Sequence, residues 1–324
     1  MPQPQTKHRT GRNPSHLKRV LALGAMILLL SVVSVLLFSG ADEDPESAGT
    51  PGGRDTGAPA SIPAEPKLWQ QRTMPESALA EGTLVLVNEE HAFDASAPKT
   101  VSVYDYKNRS YLVKDIYLSV TPETIRALND WMEAFAAQTG VKDVNVVSGW
   151  RSYADQTAIY DNAVASKGQA HADAYIALPG HSEHHTGLAV DLDTYNTEDG
   201  TSGGFDGDGE YAWAVQHAWE YGFIQRYPPS KSDVTGIDYE SWHFRYVGLP
   251  HSWVMASENL CLEEYTDYLR RFPFSGEHLS VTCLGASYEI YFCPVGQVAV
   301  PASGSYTVSG NNVDGFIVTV KTSE

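Results

Sequence analysis

Residues 179–193 place His181, His184 and His185 within five positions and follow them with Gly187 and an apolar alternating run that carries Asp191. Imidazole nitrogens and a carboxylate are the donors a divalent zinc ion prefers, so the stretch reads as half of a metal site. The geometry constrains the chain sharply. His184 and Asp191 lie seven positions apart, and on one continuous strand an odd separation points side chains to opposite faces. A shared ion therefore needs a break between them. Gly187 supplies it, since glycine takes backbone angles that turn or bulge the chain. Residues 188–193 then read as a buried strand with Asp191 near its end.

A third donor has to come from elsewhere, and His243 in the run Glu240, Ser241, Trp242, His243, Phe244 is the best candidate. If a strand is entered at about Trp242, Glu240 sits in the preceding loop and faces the ion's open position without ligating it. Three protein donors plus a water, with a carboxylate as base, is the arrangement of a catalytic zinc hydrolase. From the residues alone, His181 and His185 compete with His184 by proximity. Glu183 reads as a polar neighbour in the loop, Asp193 equally as a support behind the metal ligands or a solvated strand end, Trp242 as packing beside the metal, and Arg245 carries no assignment. Of the other histidines weighed, His8 and His16 fall in the expected cytoplasmic tail, and His171, His217, His251 and His278 lack acidic or histidine neighbours at a useful spacing.

Charge narrows the partners. The first 39 residues hold five basic and no acidic side chains, leaving 17 basic against 40 acidic residues in the remainder. A body that acidic argues against nucleic acid. It also makes any cation near the site notable: Arg151, at a strand-to-helix corner, offers a planar fork for a carboxylate or a developing oxyanion. No Ser/His/Asp or Cys/His set suggests a metal-independent hydrolase. The Gly- and Asp-rich loop 194–209, with Asp206, Asp208 and Glu210, is a poor calcium loop, because Tyr211 and His217 stand where glycine and glutamate are needed.

Residues 20–38 form an apolar run of nearly bilayer-spanning length, preceded by basic residues and followed by Asp42, Glu43 and Asp44. The positive-inside rule puts the N-terminus in the cytoplasm and the rest outside; a cleaved signal near residues 39–41 is the competing reading. Residues 41–67 are rich in Pro, Gly, Ala, Ser and acids and read as a disordered stalk, on the order of 30 Å across by random-coil scaling.

Within the folded part, residues 84–88 read as a short strand. Thr121 and Pro122 make a helix start, Ile125, Leu128, Met132 and Phe135 recur at helical spacing, and Gly140 ends the segment. Strand 144–148 leads to a helix capped by Ser152 and ending near Gly168. A short helix at 211–221, a strand at 223–227 and two helical pieces over 251–271 follow. Beyond Pro273 the pattern turns to short strands at 279–284, 287–293, 297–300, 306–308 and 315–320. Cys283 and Cys293 are out of register for a hairpin disulfide, so free thiols or a pairing to Cys261 are expected.

The order Ser182, His184, Gly187, Ala189, Asp191, then Glu240, Trp242, His243, preceded by Ser148, Gly149, Trp150, Arg151, Ser152, resembles the VanY-type zinc D-alanyl-D-alanine carboxypeptidases, within the wider family that includes lysostaphin and sonic hedgehog. The resemblance covers about residues 84–271. It implies zinc held by His184, Asp191 and His243, Glu240 as general base, Arg151 near the scissile carbonyl, and Gln156 and Ser182 lining the substrate pocket. It implies removal of the terminal D-alanine from peptidoglycan stem peptides. L,D-carboxypeptidase or endopeptidase action, or wall binding without hydrolysis, are the alternatives, and Glu240 favours an enzyme. The resemblance allows glycopeptide resistance as a role and favours routine wall maturation at least as much.

The expected fold is α+β: a small antiparallel sheet with flanking helices around the zinc site, an N-terminal transmembrane helix and a small C-terminal β appendage. The expected divisions are a basic cytoplasmic tail at 1–19, an anchor at 20–39, a stalk at 40–80, a peptidase domain at 81–272 and the appendage at 273–324. A monomer is expected, tethered to the cell membrane with its catalytic part outside.

Overall fold

A computed structural model describes residues 68–323. The expected basic tail, the apolar run and most of the stalk lie outside these residues. Among the described residues no helix is long and apolar enough to cross a membrane. The described residues belong to one compact unit.

In chain order the strands are β1 (Trp69–Thr73), β2 (Val101–Ser102), β3 (Leu112–Val113), β4 (Ser119–Val120), β5 (Val144–Ser148), β6 (Ala189–Asn196), β7 (Thr201–Gly204), β8 (Phe223–Tyr227) and β9 (Glu240–Tyr246), then β10 (Leu279–Cys283), β11 (Ala286–Pro294), β12 (Gln297–Pro301), β13 (Tyr306–Gly310) and β14 (Gly315–Ser323). The longer helices are α1 (Pro122–Thr139), α2 (Tyr153–Lys167), α3 (Gln169–Tyr175), α4 (Ala212–His217), α5 (His251–Glu258) and α6 (Leu262–Leu269). The result is the expected mixed α+β fold.

The sheet that carries the site runs β3-β5-β6-β9-β8, with β7 added beside β6; β3 and β5 are parallel and the other pairs antiparallel. Helix α1 covers one face. Its start follows from chemistry: Thr121 accepts the Thr124 N–H, Pro122 occupies the first turn, and Gly140 closes the helix in the left-handed region. Ile125, Leu128, Trp131, Met132 and Phe135 are buried against Val144, Val146, Val190, Leu192, Phe223 and Phe244. Trp131 packs 5.0 Å from Phe223 and 4.9 Å from Phe244, ring centre to ring centre, and its indole N–H reaches the Ala214 carbonyl. Each such side chain contributes roughly 1.5–3 kcal/mol by burial, which makes this layer the rigid backing of the site.

The C-terminal strands form an antiparallel sheet ordered β10-β11-β14-β13, while β12 pairs with β1. Val281, Cys283, Ile290, Phe292 and Ile317 share a core with Leu262, Tyr265 and Leu269 of α6 and with Leu84 and Leu86. All three cysteines are free and buried, as the register argument allowed.

Four expectations need correction. Residues 69–80, assigned to the stalk, are ordered: β1 is paired by β12, and Trp69 packs edge-on against Phe274 and Tyr291. Residues 84–88 are not a strand although Leu84 to Val87 are buried. Side chains take the backbone groups a strand partner would have used: Ser309 Oγ accepts from the Leu84 N–H, Arg245 donates to the Val85 carbonyl, and Asn312 donates to that of Leu86. The loop expected at 194–209 is partly sheet, since β6 runs on to Asn196 and turns back as β7. Glu240 begins β9 rather than lying in the loop before it.

Candidate metal centre and active site

Gly187 does what the spacing required. It takes φ +67° at the end of the 3-10 turn Glu183–Thr186, and β6 begins at Ala189, so His184 and Asp191 belong to two elements and can face one point. Asp191 is paired directly opposite His243 in the β6/β9 ladder, which puts both side chains on one face. His243 Nδ1 lies 2.9 Å from Asp191 Oδ1, and His184 Nε2 lies 3.2 Å from Asp191 Oδ2.

Glu240 stands three residues before His243, another odd separation. A bulge corrects it. Gln225 pairs with Phe244 and Tyr227 with Glu240, so one residue of β8 between these pairs faces three residues of β9. The Glu240 carboxylate thereby reaches 3.8 Å from His243 Nδ1. A second irregularity, in β5 between Val146 and Ser148, brings Ser148 opposite Asp191.

Of the three clustered histidines, only His184 turns a ring nitrogen toward Asp191. Its Nδ1–H donates to the Gly149 carbonyl at 2.7 Å, leaving the Nε2 lone pair for an ion. His185 has both nitrogens engaged by backbone: Nδ1–H donates to the Arg151 carbonyl at 2.8 Å and Nε2 accepts the Gly180 N–H at 3.1 Å. His181 Nδ1–H donates to the Asn88 carbonyl. Ligand atoms of His184, Asp191 and His243 all lie within 4.8 Å of one another. Zinc bonds of about 2.0–2.1 Å at tetrahedral angles place donors roughly 3.3 Å apart, and three donor atoms within 4.8 Å of one another form a cluster of the size such an ion can draw together.

Arg151 borders this group with Nη2 3.8 Å from Asp191 Oδ2. Gln156 Oε1 accepts from its Nη1 at 2.7 Å and Ser148 Oγ from its Nη2 at 2.8 Å, while Gln156 itself is anchored by donating to the Ala177 carbonyl. Gln156 is thus buried behind the arginine and holds it. Ser182, also buried, accepts from the His184 N–H at 3.4 Å and caps the turn that carries this ligand.

The electrostatics are those of a site built for positive charge. Burial alone would lower the His243 pKa, but hydrogen bonds to the carboxylates of Asp191 and Glu183 raise it to about 10 in the metal-free protein. Burial pushes the Glu240 carboxyl up to about 7, with Asp191 adding to the rise and His243 and Arg151 opposing it. A dication on the neighbouring donors would favour the carboxylate again.

Sequence reasoning missed one group entirely. Glu183 is buried and pivotal rather than a loop neighbour: its Oε1 accepts from Arg226 Nε at 2.8 Å and Arg245 Nη1 at 2.7 Å, and its Oε2 lies 3.3 Å from His243 Nε2. Burial would raise its pKa, but the two guanidinium groups hold the carboxyl well below the usual range. Arg226 is tied in turn to Glu263 by two hydrogen bonds of 2.9 and 2.6 Å. A signal existed in the apolar setting of Arg226 and Arg245, two charges on strands whose neighbours are core residues.

Comparison with known proteins places these features. The family model for VanY, D-alanyl-D-alanine carboxypeptidase, matches residues 118–249. A D-alanyl-D-alanine carboxypeptidase of Enterococcus faecium is 35% identical over 259 residues, 78% of this chain and 79% of that protein. The bifunctional D-Ala-D-Ala dipeptidase and D-Ala-D-Ala carboxypeptidase VanXYC of Enterococcus gallinarum is 37% identical over 191 residues, 58% of this chain and 95% of its own. The crystal structure of the vancomycin resistance D,D-dipeptidase VanXYg, in complex with a D-Ala-D-Ala phosphinate analog, is similar with a TM-score of 0.70 at 32% identity, covering 78% of this chain and 99% of that one.

Proposed function

This chain belongs to the VanY family of D-alanyl-D-alanine carboxypeptidases, and from that premise we propose that it releases the terminal D-alanine of peptidoglycan stem peptides at a zinc centre held by His184, Asp191 and His243. The observation that carries the reading is the opposed pair Asp191 and His243, with His184 Nε2 and the Glu240 carboxylate on the same side.

When bound, zinc supplies a Lewis acid for the scissile carbonyl and makes a water acidic near neutral pH. Glu240 takes the proton of the attacking water as its oxygen bonds to the carbonyl carbon. It then delivers that proton to the leaving amine as the C–N bond breaks. With the ion in place the carboxylate form is favoured, which suits the proton-accepting half of this exchange. The Arg151 guanidinium, held by Gln156 and Ser148, faces the negative charge that develops on the carbonyl oxygen. Gln156 and Ser182 support the pocket from behind, one through Arg151 and the other through the His184 turn.

The test uses purified full-length protein on a pentapeptide stem ending in D-Ala-D-Ala, on the tetrapeptide and on free D-Ala-D-Ala, with Glu240→Gln alongside. D-alanine from the pentapeptide supports the D,D-carboxypeptidase reading. Release from the tetrapeptide alone moves it to L,D specificity, and release from the free dipeptide alone to a dipeptidase. We further propose that the apolar run at 20–38 anchors a monomeric enzyme to the membrane with its active site outside. Membrane fractionation with protease accessibility tests the anchor; recovery in the cytosol would refute it.

A further inference from the structure

We propose that Glu183 is a positioning residue that sets the tautomer of His243, keeping the proton on Nε2 so that Nδ1 presents its lone pair to the metal. The inference rests on the reading of His243 as a ligand and extends it to a residue that touches neither ion nor substrate.

His243 lies between two carboxylates. Asp191 Oδ1 is 2.9 Å from Nδ1, and Glu183 Oε2 is 3.3 Å from Nε2. Either could accept the single proton of a neutral imidazole. The Asp191 contact is the shorter, so in isolation it would draw the proton to Nδ1, the nitrogen that must stay bare to bind an ion. Glu183 opposes this from the far side, as carboxylates behind metal-bound histidines do. The other histidine ligand solves the same problem differently, donating Nδ1–H to the Gly149 carbonyl and using Nε2. The two rings thus face the centre with opposite nitrogens, and each has an acceptor behind it.

The acceptor behind His243 is costly to build. Glu183 is 1% exposed, and Arg226 and Arg245, at 1% and 0%, both donate to its Oε1. Glu263 holds Arg226 from the other side, and the carbonyls of Thr83 and Val85 hold Arg245. Two carboxylates and two guanidinium groups sum to zero charge. With both arginines on Oε1, Oε2 is left toward the His243 ring. A cluster serving stability alone had no need to direct that oxygen at a ligand, since apolar side chains of similar volume fill such a space as well or better.

The decisive measurement is made on full-length protein carrying 15N-labelled histidine, loaded with zinc and separately with cadmium-113. Long-range 1H–15N correlation is expected to show the His243 proton on Nε2, and cadmium coupling at Nδ1. A proton on Nδ1, or coupling at Nε2, overturns the proposal. Glu183→Gln alone leaves an unbalanced buried arginine and risks misfolding, so the variant tested is Glu183→Gln with Arg245→Gln, which removes one charge of each sign and leaves the Arg226–Glu263 pair intact. Its zinc affinity by chelator competition is expected to fall about 10–100-fold while the metal-free melting temperature is retained. An unchanged affinity in the folded double variant overturns the proposal. Should the variant not fold, the wild-type tautomer decides. The ligand reading is checked apart from this by His184→Ala: wild-type protein that takes up no zinc defeats both ideas, whereas zinc bound with the His243 proton on Nδ1 defeats only this one.

Discussion

Asp191 and His243 face each other across the β6/β9 ladder, and the aspartate spans both histidines, with Oδ1 2.9 Å from His243 Nδ1 and Oδ2 3.2 Å from His184 Nε2. Bound to an ion it would be the only charged donor of the three, and in the metal-free protein its pKa is held well below the usual carboxylate value because the two histidines outweigh the effect of burial. Asp191→Asn keeps the shape and removes the charge. Its zinc affinity should fall by more than the roughly 10–100-fold typical of outer partners. Wild-type activity should vanish with a chelator and return with added zinc, read by D-alanine release; activity that survives full zinc removal would reject the metal centre.

Glu240 makes a separable contribution. Glu240→Gln retains size and leaves His184, Asp191 and His243 untouched, so the zinc content should stay stoichiometric. Loss of a general base typically lowers kcat by about 10²–10⁴ with little change in KM. Paired zinc analysis and steady-state kinetics check this. A variant with near wild-type kcat would remove Glu240 from proton transfer.

Arg151 and Gln156 should show graded effects. On the proposed mechanism Arg151→Ala removes the guanidinium assigned to the developing oxyanion, and a loss of about 10²–10³ in kcat is expected. Gln156→Leu leaves the guanidinium in place but deletes the 2.7 Å bond that orients it, so the loss should be smaller and the double variant less than additive. Strictly additive losses would mean that Gln156 acts on something other than Arg151.

The sequence made local relations legible and hid distant ones. Thr121, Pro122 and Gly140 announced α1 because caps act within a few residues, and Gly187 announced the break because His184 and Asp191 have the wrong parity without it. Family resemblance chose His184 among three histidines; in the structure backbone bonds occupy both ring nitrogens of His185, and His184 alone of the three turns one toward Asp191. The role of Glu183 was not readable from its own neighbours in sequence, because its partners Arg226 and Arg245 lie 43 and 62 positions away. The β9 bulge was equally hidden: no glycine or proline lies within Glu240–Tyr246 to mark it. Residues 84–88 misled because an apolar run specifies burial, and only tertiary structure shows that Arg245 and Asn312 take its carbonyls.

Gly187→Ala tests the break directly. The position holds φ +67°, where an added Cβ would also meet Thr121 Cγ2 at 3.2 Å and Thr100 Cγ2 at 3.3 Å. An L-residue in the left-handed region costs about 1–2 kcal/mol, which for a domain of this size lowers the melting temperature by roughly 2–8 °C. Zinc affinity should fall as well, because the turn sets the distance between His184 and Asp191. Unchanged thermal and metal-binding midpoints would show that the glycine is dispensable.

His251 provides a pH prediction away from the metal. It is 4% exposed in α5, with Nδ1 2.8 Å from the Tyr265 hydroxyl and Nε2 3.0 Å from Thr319 Oγ1 of β14, so it joins the helix pair to the C-terminal sheet. Burial lowers its pKa to about 3, against roughly 6.5 in the unfolded chain. Between these values the unfolded state binds the extra proton, so stability is complete above about pH 6.5 and declines as pH falls toward 3. At 1.36 kcal/mol per unit, this one residue removes about 2 kcal/mol between pH 7 and pH 5. His251→Gln has no such titration. Urea unfolding of metal-free wild type and variant at both pH values isolates the term, because every other titrating group is common to the two proteins. Wild type should lose about 2 kcal/mol more than the variant on acidification; equal losses would show that His251 accepts a proton in the folded state without penalty.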